Sequence, residues 1–247
     1  MLGSTFSIAG PNIILNTVVA EALKIFADQL EKAPDFHTAL AALIKDTIST
    51  HKRIIFNGNN YSEGWTQEAK LRGLSNLRTT VDALPAFISA KSIELFNSHH
   101  VFTETEVRSR YEILMENYCK TLHIEALTMV DMIKKDIIPC CIAYQSELAA
   151  LLSQKKACGE YDTTLEEYLL GKLAKLSGCA LKKLDALENA LIETKTERKV
   201  CDLARFYRDS VFGGMSELRM TIDELETIVA KKHWPVPTYA ELLYSVN

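Results

Sequence analysis

The chain has 247 residues, is 47% hydrophobic and 24% charged, and carries a formal net charge of -4. Its Lys and Arg are interleaved with Asp and Glu, so there is no basic stripe for a phosphate backbone to follow, and nucleic acid is excluded as a partner. No charge-free run approaches the ~20 apolar residues of a membrane span. The apolar N-terminal run has no Lys or Arg before Lys24 and is split by Pro11-Asn12, which argues against a signal peptide. The reading is a cytoplasmic protein, with no membrane partner and six reduced thiols.

Pro11 followed by Ile14, Val18, Leu23, Phe26 and Leu30 predicts a first helix to about Lys32, closed by Ala33-Pro34. From Ile13 to Ala22 it is apolar nearly all round, interrupted by Asn16, Thr17 and Glu21, the pattern of a helix buried against something larger than one neighbour. Asp35 caps a second helix reaching roughly His51, with Leu40, Leu43, Ile44, Thr47 and Ile48 expected on its inner side.

The stretch Lys52–Trp65, KRIIFNGNNYSEGW, then breaks the helical pattern. Asn and Gly tolerate left-handed backbone, and Asn side chains bond nearby main chain. Asn57, Gly58, Asn59, Asn60 and Tyr61 therefore predict a tight polar loop between the anchors Ile54-Ile55-Phe56 and Trp65. The loop either fixes a corner or offers amides to a partner, and it is the candidate functional segment. Ser62-Glu63 restart a short helix ended by Gly73, Pro85 halts another begun after Thr79-Thr80, and Ser89 or Ala90 opens a third through Phe96.

Thr103 and Glu106 form a capping box. After it, Val107, Tyr111, Leu114, Tyr118, Leu122, Ala126, Met129, Ile133 and Ile137 mark one long helix to Pro139, which should kink it before it runs on to Cys158-Gly159. Asp162-Thr163-Thr164 opens the next helix, where Leu165, Leu169, Leu173, Leu176, Ala180, Leu184, Leu187 and Leu191 recur in steps of four, four and three, an eleven-residue repeat. Thr194 and Glu197 suggest a further capping box, and one apolar face then runs from Val200 to Val229 across a weak point at Gly213-Gly214. His233-Trp234-Pro235-Val236-Pro237 ends that helix, and a last turn is expected over Tyr239–Tyr244.

The fold expected is all-α: an irregular helical part over 1–100, then an antiparallel bundle of three long helices over 101–247, because short connections reverse the chain. No catalytic constellation accompanies it. There is no Walker loop, no nucleophile elbow, no H-E-x-x-H, and no Glu three residues before any histidine, which removes the di-iron bundle. Cys119 and His123, one turn apart, are the best local metal pair, but no second pair joins them. His99-His100 reads as a helix C-terminus meeting the dipole. Residue by residue, the chain looks like an interaction module.

Several segments together resemble the C-terminal part of type III glutamine synthetase: MLGSTFSIAGPNIILNTVVAEAL, HKRIIFNGNNYSEGW with RGLSNLRTTVDALP, FTETEVRSRYEILMENYCKTLHIEALTMVDM, and HWPVPTYAELL. The resemblance implies a parent enzyme that ligates ammonia to glutamate with ATP and Mg or Mn, assembled as double-ringed dodecamers. It implies no catalytic, cofactor or metal residue within this chain, since the family's catalytic barrel and N-terminal domain precede the match, with a Glu and an Arg of the last catalytic strand immediately ahead of Met1. Met1 then stands at an internal methionine of the family pattern, and the chain reads as a fragment. The expected role is structural, with self-association through the apolar first helix and the Asn57–Tyr61 loop at the edge of the active site. The alternative is a free-standing helical adaptor that binds another protein.

Overall fold

The computed structural model describes residues 7–196 and 198–244. They contain helices and no strand, as the pattern predicts. The chain divides into two compact units, Met1–Leu114 and Met115–Asn247, with the division inside a long helix rather than ahead of it at residue 100.

In the first unit, α1 (Ala9–Leu30) and α2 (Phe36–His51) are followed by a single 3-10 turn (Lys52–Ile54), then α3 (Glu63–Leu71), α4 (Thr80–Phe87), α5 (Ala90–Ser98) and the start of α6 (Glu104–Met132). Short polar side chains set the helix starts. Asp35 accepts from the Thr38 amide, Ser62 from Trp65, Thr79 from Asp82 and Ser89 from Ser92, each satisfying a donor the helix itself leaves open. Thr38, first through its side chain and then through this amide, also holds the Asp35 carboxyl below its ordinary range. At α6 the Thr103 amide donates to Glu106 at 2.8 Å while the Glu106 amide donates to Thr103 Oγ1 at 3.4 Å, the reciprocal pair expected of a capping box.

α4 runs two residues past Pro85, ending at Phe87 instead of at the proline. A core forms around Phe96, whose ring lies 5.4 Å from those of Phe87 and Phe102, with Arg110 over Phe102 at 4.3 Å. At the end of α5, His100 adopts φ 54, and the Val101 and His100 amides return to the Phe96 and Asn97 carbonyls. Histidine thus occupies a left-handed position that glycine usually fills.

α1 packs on α2 and α5, yet most of its apolar surface has no cover. Leu15 is 60% exposed, Val19 56% and Leu23 61%, while Thr17 is its one buried residue. Among the described residues, no helix is long and apolar enough to cross a membrane.

The second unit holds the rest of α6, α7 (Ile138–Cys158), α8 (Thr164–Glu193), α9 (Val200–Phe206), α10 (Gly213–Glu226) and α11 (Tyr239–Tyr244). α8 packs against both α7 and α10, and its leucine repeat supplies the seam: Leu173, Ala180, Leu184, Leu187 and Leu191 are buried, whereas Leu165, at the open end, is exposed. At the start of α8, Asp162, the first residue of the expected Asp162-Thr163-Thr164 opening, accepts through Oδ1 from the Thr164 amide at 2.9 Å.

The disturbance at Pro139 takes the form of a π-helical turn over Ile133–Ile137, just before α7. Proline has no amide to donate and its ring crowds the carbonyl four residues back, Lys135; a wider turn relieves both. A second π-helical turn, Tyr207–Phe212, stands immediately ahead of Gly213-Gly214 and replaces the plain weak point expected there. α10 also stops at Glu226, earlier than the residue 232 that the apolar face suggests. Glu197, one half of the second expected capping box, lies outside the described residues, as does Met1; Thr194 Oγ1 donates to the Leu191 carbonyl at 2.7 Å.

The chain is closed by side chains from α7 and the tail. Glu147 accepts from Lys232 at 2.6 Å and pairs with His233 at 2.8 Å, with the His233 ring against Tyr144. Lys231 reaches Glu241 at 2.9 Å, and the Thr238 amide donates to the same carboxylate.

Candidate functional site

The Asn57–Tyr61 loop is a corner built on an aromatic stack. α2 gives way to the 3-10 turn, whose Ile55 amide returns to the Lys52 carbonyl at 3.1 Å, and Phe56 then turns inward. Its ring lies on Trp65 with centroids 4.1 Å apart and planes 28° from parallel. Offset stacks of this kind contribute ~0.5–1.5 kcal/mol beyond the area they bury.

Within the loop, Asn59 does most of the folding. Its Oδ1 accepts from the Tyr61 amide at 3.0 Å, closing an Asx turn, and its carbonyl accepts from the Ser62 hydroxyl at 2.8 Å and the Ser62 amide at 3.2 Å. Ser62 then caps α3. Gly58 is required for space: a Cβ there would sit 2.6 Å from Phe56 Cζ. Asn57, Asn60 and Tyr61 point outward, and Tyr61 is 100% exposed. All five residues named from sequence are thus exposed; Gly58 and Asn59 shape the loop, and Asn57, Asn60 and Tyr61 are its outer trio.

Sequence reasoning missed Arg72 and Glu68. Arg72 lies 5.8 Å from the Phe56 ring and 5.6 Å from the Trp65 ring, and its Nη1 donates to the Ile55 carbonyl at 2.8 Å and the Arg53 carbonyl at 3.2 Å. Glu68 accepts from Arg72 Nε at 3.0 Å. Trp65, Glu68 and Arg72 are spaced by three and four, so they share one face of α3, and that spacing was the available signal. Gly73, at φ +70, ends the helix just beyond, with the Leu74 and Gly73 amides returning to Ala69 and Lys70.

The other sites considered resolve into structure. Burial pushes the Cys119 thiol up to about 11, and His123 Nδ1 lies 3.1 Å from the Tyr207 hydroxyl, so this pair joins α6 to the second π turn. His99 does more than meet a helix dipole: its Nε2 is 2.6 Å from Glu21 Oε2 and ties α5 to α1. Among the described residues no group of three or more His, Cys, Asp and Glu converges on a point that could hold a metal. Two open clefts, of about 430 Å³ beside Ile93 and Arg108 and about 530 Å³ beside Tyr168 and Glu224, include none of the loop residues.

Comparison with known proteins gives these features a context. The family model for the glutamine synthetase C-terminal domain matches residues 39–156, which takes in the whole corner and α6. The chain is 40% identical to a glutamine synthetase of Butyrivibrio fibrisolvens, over 83% of this chain and 29% of that protein. It is 34% identical to the type-3 glutamine synthetase of Dictyostelium discoideum, over 98% of this chain and 34% of that protein. A glutamine synthetase of Bacteroides fragilis is 27% identical, over 98% of this chain and 35% of its own length. The chain thus spans about a third of the length of the curated relatives it matches.

Proposed function

This chain belongs to the C-terminal region of the type III glutamine synthetase family, and from that premise we propose that it serves as the structural and oligomerising helical part of an ATP-dependent glutamate–ammonia ligase. In this reading the ligase binds ATP and Mg or Mn through residues other than those described here, and this chain supplies no catalytic group. Its work is to hold subunits of a homo-oligomer, a dodecamer in the complete cytoplasmic enzyme, and to bring the Asn57–Tyr61 loop to the edge of the active site.

The observation that carries the proposal is the uncovered apolar surface of α1. Ile14, Leu15, Val18, Val19, Leu23 and Ile25 are each at least 38% exposed on one 22-residue helix. Covering such side chains contributes on the order of 1 kcal/mol apiece. Contiguous apolar surface of this kind marks an interface.

The test is a graft. This chain replaces the matching third of the Dictyostelium discoideum type-3 enzyme, and glutamate-dependent ligation and sedimentation are measured. An assembled, active chimera is expected, and Leu15→Glu with Val19→Glu should break its assembly. A soluble chimera that neither assembles nor ligates refutes the proposal.

A further inference from the structure

We infer that Arg72 is the positioning residue of the Asn57–Tyr61 loop: its guanidinium fixes the shape in which the outer side chains meet their ligand. The inference deepens the active-site-edge reading and rests on it.

Three sets of contacts converge on one planar group. The guanidinium lies near both rings of the Phe56–Trp65 stack, an arrangement that attracts the cation to the ring faces. Its Nη1 bridges the carbonyls of Arg53 and Ile55, just before Phe56 turns inward. Glu68, one turn earlier on α3, accepts from Nε and Nη2 and sets the tilt of the plane. The Gly73 termination fixes the helix end that carries Arg72.

These contacts act on both ends of the loop at once. The strand of chain entering it is held at Ile55, and the helix leaving it is held at Trp65. Between them, Asn59 and Ser62 close the turn by local bonds alone. The Arg53 and Ile55 residues are exposed, so water can replace the Arg72 bonds in energy, but it cannot replace the fixed direction. Removal of Arg72 therefore alters loop shape more than chain stability. Lysine does not substitute, because a point charge on a flexible stem cannot bridge two carbonyls while lying against two rings. The segment Ile54–Ser62 contains no charged side chain, so the shape of Asn57, Asn60 and Tyr61, rather than long-range attraction, decides what the loop accepts.

Two measurements test this. Limited chymotrypsin digestion of the 247-residue chain should cut after Tyr61 about tenfold faster in Arg72→Gln and Arg72→Lys than in the parent, because local opening exposes the bond. Millimolar guanidinium should restore resistance to Arg72→Ala. In the chimera, Arg72→Gln should raise KM for a substrate about threefold or more while kcat stays within about twofold, the signature of lost positioning at a binding edge. Unchanged digestion of all three variants overturns the role of Arg72. Faster digestion with unchanged KM leaves Arg72 as the lock of the corner and overturns the placement of the loop at the active site.

Discussion

Gly58→Ala is the sharpest probe of the corner. No left-handed backbone is at stake at this position, so the effect is one of space: the new Cβ falls 2.6 Å from Phe56 Cζ and 2.9 Å from Cε1. To reach ordinary contact the ring edge must retreat by about 1 Å. It cannot do so freely, because the ring is stacked at 4.1 Å on Trp65. Part of the stacking energy is lost, and part of the clash remains as strain. Overpacking costs ~1–3 kcal/mol in a closed core, and the stack itself ~0.5–1.5. Since Phe56 and Trp65 are only half-buried, the lower half of that range applies, about 1–2 kcal/mol. The chain has two tryptophans, so in a Trp234→Phe background the fluorescence reports Trp65 alone. Urea unfolding should shift its midpoint down by about 0.5–1 M for a slope near 2 kcal/mol/M. The control is a cycle with Phe56→Ala: once the ring is gone, Gly58→Ala should cost less than about 0.3 kcal/mol. Equal costs with and without the ring would refute the steric account.

Other expectations concern the bundle and the tail. Leu184→Ala, at a fully buried seam position of α8, should cost about 3 kcal/mol in unfolding followed through Trp234, whereas Leu165→Ala in the same repeat should cost under about 0.5. Thr103→Ala removes one side of the α6 capping box and should destabilise by about 1 kcal/mol, less if Glu106 is also changed. The Thr238 amide, followed by Lys231 and the Thr238 hydroxyl, holds the Glu241 carboxyl at about 2 instead of 4.5. Because its folded value is the lower one, the contribution to anchoring α11 is complete above about 4.5 and disappears as pH falls toward 2. Amide exchange in 239–244 should accelerate over that window, and Glu241→Gln should abolish the pH dependence.

The long helices were legible because burial obeys their apolar period. Leu173, Ala180, Leu184, Leu187 and Leu191 lie at the spacing that a single packed face requires, and they are the buried apolar residues of α8. The capping residues Asp35, Ser62, Thr79, Ser89 and Thr103 were legible for a local reason, as each bonds an amide three residues on. The π turns were not. Ile133 and Ile137, like Tyr207 and Val211, are four apart, a spacing that an α-turn and a π-turn both satisfy; Pro139 and Gly213-Gly214 marked the places without naming the geometry. Contacts between distant segments, such as His99 with Glu21 or Arg72 with the 53 and 55 carbonyls, were also hidden. Neither partner's neighbourhood in sequence specifies the other.

The π turn at Tyr207–Phe212 has a consequence for how this bundle tolerates change in length. Such a turn holds one residue more than the α-helix around it, absorbed as a bulge while the flanking turns keep their alignment. A one-residue deletion inside it, at the exposed Asp209, converts the bulge into ordinary α-helix and leaves α9 and α10 facing the partners they face now. The same deletion within α10 rotates every later residue by about 100° and withdraws Leu218, Ile222 and Leu225 from the core. The bulge is therefore a built-in slack, one residue deep, and it marks the point along this helix where a codon can be lost with least harm.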